Sequence, residues 1–286
     1  MSHRLPRFLR YSLAAMLPAI GLFIGLGSSS ASASSQPSAQ AQAAALAKAA
    51  IRQLMIGQPT NHRVAGSARH QISGLTNVQS TNWSGYADTG SSFSKVTGSW
   101  TEPSANCSGR STSLAAFWVG IDGFASNSVE QDGTLIECFH GSVFHFSWWE
   151  MYPTNAVQVV GQSVAAGDHI SASVVRTGSS YALAVTDSTH SANSFTRTES
   201  CSSCANTSAE WIAEAPSSSG GVDPLANFGT WTDSGSTVTE GSTSGVISSF
   251  TDDEITMVNS SGAVKAQPGA LNGGGNGFSV TFERAT

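Results

Sequence analysis

From Asn82 onward, apolar and polar positions alternate with a period of two. Phe278, Val280 and Phe282 fall on one face of a strand, and Ser279, Thr281 and Glu283 on the other. Tyr181, Leu183 and Val185 repeat the pattern, as do Ile170, Ala172 and Val174. This spacing is that of a half-buried β-strand. The runs are short and are separated by "RTGSS", "NSSG" and "NGGGNG", which supply the turn chemistry of antiparallel connections. The expectation is an all-β domain, a sandwich or barrel, with the Ser/Gly stretch 217–221 as a surface loop.

A helical period occurs only upstream. Leu46, Ala50, Ile51, Leu54 and Met55 recur at the spacing of one amphipathic helix, closed before Pro59. Before it, Arg4, Arg7 and Arg10 precede an apolar run over 13–26, followed by Ala31-Ser32-Ala33. That is the layout of a secretory signal peptide. The run is shorter than the roughly 20 apolar residues a bilayer span needs. Residues 61–80 are polar and patternless, like a linker. The expected division is a signal peptide over 1–33, a propeptide with one helix and a linker over 34–79, and a mature domain over 80–286. A secreted protein follows, with no membrane segment in its mature form.

Charge sharpens this division. Of the 13 Lys and Arg, seven precede residue 80, whereas all 19 Asp and Glu follow it. The net charge of −6 therefore splits into +7 and −13. An acidic domain is repelled by phosphate, so nucleic acid is not an expected partner. A basic leader can be held to an acidic domain at neutral pH and released when carboxylates protonate, which makes the propeptide an expected inhibitor. With few cations of its own, the domain carries little self-repulsion at a pH of about 3.

Cys107, Cys138, Cys201 and Cys204 all fall in the exported part. An even count there favours disulfides in one of three pairings, of which Cys107–Cys138 with Cys201–Cys204 is the simplest. No second Cys pair or His-x-x-x-His completes a zinc site around the Cys-x-x-Cys, so no metal or other cofactor is expected.

Two stretches resemble the Asp-Thr/Ser-Gly of aspartic peptidases, "ADTGSS" at Asp88 and "TDSGST" at Asp233. Their flanks are small and polar rather than apolar, and Asp-x-Gly is ordinary turn chemistry. Both are expected to be surface turns. Three other stretches set polar groups among large aromatics: residues 115–134, 145–153 and 206–216. On a strand Phe144, Phe146, Trp148, Glu150 and Tyr152 point one way. Glu210, Ile212 and Glu214 share a face opposite Ala209, Trp211 and Ala213. Carboxylates in aromatic rows are costly to bury, so a wet, acidic, aromatic groove is expected.

"TNWSGYA" at 81–87, "FWVGIDG" at 117–123, "WWEMYP" at 148–153 and "SAEWIAE" at 208–214 resemble, in order and approximate spacing, the glutamic peptidase family, the eqolisins. The resemblance covers nearly all of residues 80–286. It implies an antiparallel β-sandwich of two large sheets, of the concanavalin-like jelly-roll type, and an acid endopeptidase acting on protein or peptide substrates. It places a catalytic Gln at Gln131 and a catalytic Glu at Glu210. Trp83, Trp118, Asp122, Trp148 and Glu150 match cleft positions, as support or substrate-binding residues. Three positions depart from the pattern: the acidic text around Gln131, Ser208 in place of Asn, and Phe146 in place of an acid. A monomer is expected.

Other readings remain open at this point. Glu150 and Glu210 could be the carboxylate pair of a glycoside hydrolase. Trp118, Trp148 and Trp149 could be the stacking surface of a carbohydrate- or peptide-binding module. Asp88 and Asp233 could be an aspartic dyad. No Ser nucleophile motif with a matching His emerges.

Overall fold

The computed structural model describes residues 70–72, 75–108, 111–124, 126–160, 164–218 and 220–286. The signal-peptide run and the amphipathic helix expected upstream lie outside the described residues.

The described chain is built from strands: β1 His70–Ile72, β2 Leu75–Ser80, β3 Trp83–Thr89, β4 Phe93–Thr101, β5 Ser113–Ile121, β6 Val129–Phe139 and β7 Ser142–Tyr152. Next come β8 Asn155–Val159, β9 His169–Thr177, β10 Ser180–Asp187, β11 Phe195–Ser200, β12 Ser208–Glu214, β13 Ser217–Ser218 and β14 Gly221–Val222. The last are β15 Thr230–Glu240, β16 Thr243–Gly245, β17 Asp252–Val258, β18 Val264–Pro268 and β19 Phe278–Phe282. The three segments of clean alternation are therefore β9, β10 and β19.

One sheet runs β8-β7-β6-β5-β12-β3-β17 through antiparallel neighbours. A second runs β11-β10-β9-β4-β15-β16. β15 serves both: Thr230–Asp233 pairs with β19 of the first sheet, and Ser234 onward with β4 of the second. The crossing is eased by a register shift between Ser234 and Thr237, where Gly235 has φ +66°.

The inward faces of both sheets build one core, to which Val96, Trp100, Ile170 and Leu183 come from one side and Phe117, Val119, Ile136 and Trp211 from the other. Phe117 stacks on Trp231 at 5.4 Å between centroids. A second cluster, with Trp83, Trp118, Leu135, Phe146, Trp148 and Ile212, lies on the opposite face of the first sheet. That face carries the candidate site.

Several expectations change. Residues 75–80, expected as linker, form β2, which pairs in parallel with β17. Val78 is the reason, since it packs with Trp83 and Ile255 in the second cluster while polar Gln79 alternates outward. Asp88 and Asp233 are not surface turns: both are buried in strands, β3 and β15. The turn of "ADTGSS" begins after Asp88, and "DSGS" is the β15 bulge. Residues 217–221, expected as a loop, hold the β13–β14 hairpin. The cysteines pair as Cys107–Cys138, tying the chain after β4 to the end of β6, and as Cys201–Cys204, closing the turn before β12.

Candidate active site

Strand alternation and pairing register bring the expected residues into one row. Gly120 of β5 sits opposite Glu210 of β12 on one side and Gln131 of β6 on the other. Gln131 in turn sits opposite Glu150 of β7. Neighbouring strands are about 4.8 Å apart, so the backbones at Glu210 and Gln131 are separated by roughly 10 Å. The residue between them has no side chain. A Cβ at Gly120 would lie 2.9 Å from the Trp118 ring and 3.1 Å from the Gln131 Cβ, so glycine keeps the space between the two polar groups open.

The Gln131 Nε2 donates to Glu150 Oε2 at 2.6 Å, while Gln131 Oε1 has no hydrogen-bond partner among the described residues. Glu210, Gln131 and Glu150 are 0, 1 and 2% exposed. Burial pushes the Glu150 carboxyl up to about 8, against the pull of the Gln131 amide. It pushes Glu210 well above the ordinary range, and the charge of Asp122 adds to the rise; among the described residues neither Glu210 oxygen has a hydrogen-bond partner. The wet groove expected from sequence is thus corrected. These carboxyls lie out of solvent, and their burial costs are met by hydrogen bonding or by keeping the proton.

The next row is aromatic. Trp118 stands opposite Ile212 and Gly133, and Gly133 opposite Trp148. Only glycine fits at 133, because a Cβ would fall 2.0 Å from the Phe117 carbonyl oxygen. The Trp118 Nε1 donates to Glu214 Oε2 at 2.8 Å, and the Asn82 Nδ2 donates to Glu214 Oε1 at 3.3 Å. The Trp148 Nε1 donates to the Thr134 carbonyl at 3.0 Å. Trp83 meets Trp118 edge to face, with centroids 5.0 Å apart. Each ring is held by an indole bond or a ring contact, which fixes the walls of the site.

Asp122 works from the side. It has φ +70°, in the left-handed region that Asp tolerates, directly after β5. Its carboxylate accepts from the backbone N–H of Asn206 at 2.6 Å and of Thr207 at 2.9 Å, and from the Ser128 hydroxyl at 3.1 Å. It therefore clamps the chain after β5 and the start of β6 to the segment that leads into Glu210.

Other expectations fail. Trp149 points into the core between the sheets, and Trp118 and Trp148 are buried, so the three indoles do not form a stacking surface. Asp88 and Asp233 are not brought together. The charges acting on Asp88 are those of Asp252, Glu240 and Asp253, whereas Asp233 accepts from the Ser236 hydroxyl. Glu150 and Glu210 share a face, but Gly120 and Gln131 stand between them. Asp168, Asp187 and His190 lie close together, yet their polar atoms bond one another and nearby groups such as Asn193 and the Thr189 amide, closing a turn. The sulfurs nearest Glu130 belong to the Cys201–Cys204 disulfide.

Gly120, Gly133 and the Ser128 and Asn206 partners of Asp122 escaped the sequence reading. The Gly of "WVGIDG" was a visible signal, but its meaning depends on the register.

A model of the peptidase A4 family matches residues 81–274. Aspergillopepsin-2 of Aspergillus niger is 28% identical over 194 residues, 60% of this chain and 69% of its own. Scytalidopepsin B of Scytalidium lignicola is 32% identical over 160 residues, 53% of this chain and 59% of its own. In fold the chain is similar to scytalido-glutamic peptidase, crystallised with a peptide-based transition-state analog. The TM-score is 0.61, over 71% of this chain and 98% of that one; at 23% identity this likeness bears on the fold. The chain belongs to the peptidase A4 family, the glutamic peptidases or eqolisins, and is a peptide-bond hydrolase.

Proposed function

We propose that this peptidase is a secreted acid endopeptidase that cleaves proteins and peptides with Gln131 and Glu210. The observation that carries the reading is the row Glu210–Gly120–Gln131–Glu150, in which a carboxyl and an amide flank a gap kept open by glycine. Ionised Glu210 takes a proton from water as that water attacks the scissile carbonyl, then returns it to the leaving nitrogen. Gln131 cannot act as a base. Its amide N–H, aimed by Glu150, stabilises the developing oxyanion. Burial favours the protonated form of Glu210 in the absence of substrate. The working state therefore needs water and substrate to enter and lower its proton affinity.

The charge split between residues 1–79 and 80–286 supports an exported precursor whose basic propeptide is bound at neutral pH and freed by acid. The proposed boundaries are a signal peptide over 1–33, a propeptide to about 79 whose last residues supply β2 alongside β17, and the catalytic sandwich beyond. The test is a pH–rate profile on an unfolded protein substrate, with peptide products sequenced. Cleavage at interior bonds in acid and its loss toward neutral pH is expected. A rate flat from acid to neutral pH, or release of terminal residues alone, would contradict the reading.

A further inference from the structure

Away from the Gln131–Glu210 row, β18 carries a buried cation. Lys265 is 4% exposed and lines a cavity of about 450 Å³ together with Thr81, Asp223, Asn259, Ser260 and Thr286. An ammonium offers three donors. Among the described residues, the hydrogen bond that Lys265 Nζ makes is a long one, 3.5 Å to the Thr81 carbonyl oxygen.

Asp223 faces the same cavity. Its Oδ1 accepts from the Ser218 hydroxyl at 3.1 Å, and its Oδ2 is buried with no hydrogen-bond partner among the described residues. The two charges act on each other through space but do not close into a contact pair. Among the described residues the close ion pairs are His145–Glu102 and His190–Asp168. A buried ammonium and a half-buried carboxylate out of contact, both with unused bonding capacity, gain from a group that bridges them. A water occupies about 30 Å³, so the cavity is far larger than one bridging water needs. Its volume falls within the roughly 300–1,000 Å³ of small-ligand sites.

The two ends select the ligand. A simple anion drawn to Lys265 would be repelled by Asp223, and a simple cation the reverse. A molecule with both charges a few ångströms apart satisfies both. We propose that this cavity binds a small zwitterion of the α-amino-acid or dipeptide class, its carboxylate on Lys265 and its ammonium on Asp223. Such molecules are the end products of complete protein hydrolysis, downstream of the interior cleavages proposed above. The proposal does not depend on the roles given to Gln131 and Glu210, and its test reads binding, not turnover.

The test is calorimetric titration of the full chain with alanyl-alanine at a pH of about 6, where Lys265, pushed down by burial to about 8, still carries its charge. Saturable binding is expected. Lys265→Met, Asp223→Asn, N-acetylation of the probe and C-terminal amidation of the probe should each weaken it at least tenfold, the effect of one lost charge-assisted hydrogen bond. Glu210→Gln should leave it unchanged. A parallel titration with alanine assigns the source: equal binding points to single amino acids, and weaker binding to dipeptides. Should Lys265→Met fold poorly, Asp223→Asn and the two capped probes still decide. Absence of saturable binding, equal binding of the capped probes, or loss on Glu210→Gln with retention in Asp223→Asn would each overturn the proposal.

Discussion

A methyl group placed at position 120 perturbs the proposed site while leaving its polar side chains in place. The added Cβ lies 2.9 Å from Trp118 Cζ3, 3.1 Å from Gln131 Cβ and 3.3 Å from the Glu130 carbonyl oxygen. Unstrained carbon contacts are about 3.5–4.0 Å, so the neighbours must yield by roughly 0.5–1 Å. Neither yields freely. Trp118 is buried with its indole bonded to Glu214, and Gln131 is bonded to Glu150. Overpacking of this kind costs about 1–3 kcal/mol of stability. A shift of about 1 Å in a positioned group can cost about 10²-fold in rate. Gly120→Ala is therefore expected to remain folded, with a Tm lower by several degrees, and to lose roughly 10- to 100-fold in kcat/KM, mainly in kcat. The assay is steady-state hydrolysis of a quenched-fluorescence peptide in acid, beside thermal melts by circular dichroism. A Gly120→Ala protein that melts lower but turns over at the wild-type rate would refute the claim that this glycine sets the gap between Gln131 and Glu210.

Stability should fall as pH rises. Burial raises Asp88 to about 9, Asp233 to about 8 and Glu150 to about 8. Their folded values exceed the unfolded ones near 4, so the stabilisation is fully present below about pH 4 and is lost as pH climbs through 8 to 9. Melts from pH 3 to pH 8 should show a falling Tm, and a Tm that rises over this range would contradict the burial account. Removing the Cys107–Cys138 bridge, which spans a sequence separation of 31, should cost about 3–4 kcal/mol and lower Tm by roughly 6–16 °C; an unchanged melt of the double Ala variant would show that the bridge contributes nothing. Asp122→Ala frees the segment leading into Glu210 and should lower kcat at least tenfold with little change in KM. A pure KM effect would assign Asp122 to substrate binding instead.

Local pattern carried much of the fold. The alternations at 170–174, 181–185 and 278–282 mark β9, β10 and β19, because one face of each is packed and the other is not. The same period-two logic placed Trp148 with Glu150, and Glu210 with Glu214, on common faces. What local pattern cannot carry is register. That Gly120 stands between Glu210 and Gln131 depends on how β5 pairs with β12 and β6, and β12 is far from both in sequence. The Asp-Thr-Gly stretch misled for a related reason. Its composition is turn chemistry, but Asp88 belongs to the inward face of β3, where tertiary burial overrides the local preference. β2 was hidden by the polar letters around Val78, whose partners Trp83 and Ile255 come from β3 and β17.

The central claim is that Glu210 and Gln131, and not Asp88, carry the chemistry. Hydrolysis of an unfolded protein by wild type, Glu210→Gln, Gln131→Ala and Asp88→Asn, each verified as folded, tests it most directly at a pH of about 3 to 4. The account predicts near-complete loss in Glu210→Gln, a fall of about 10²–10³ in Gln131→Ala and full activity in Asp88→Asn. Retained activity in Glu210→Gln, or loss confined to Asp88→Asn, would contradict it.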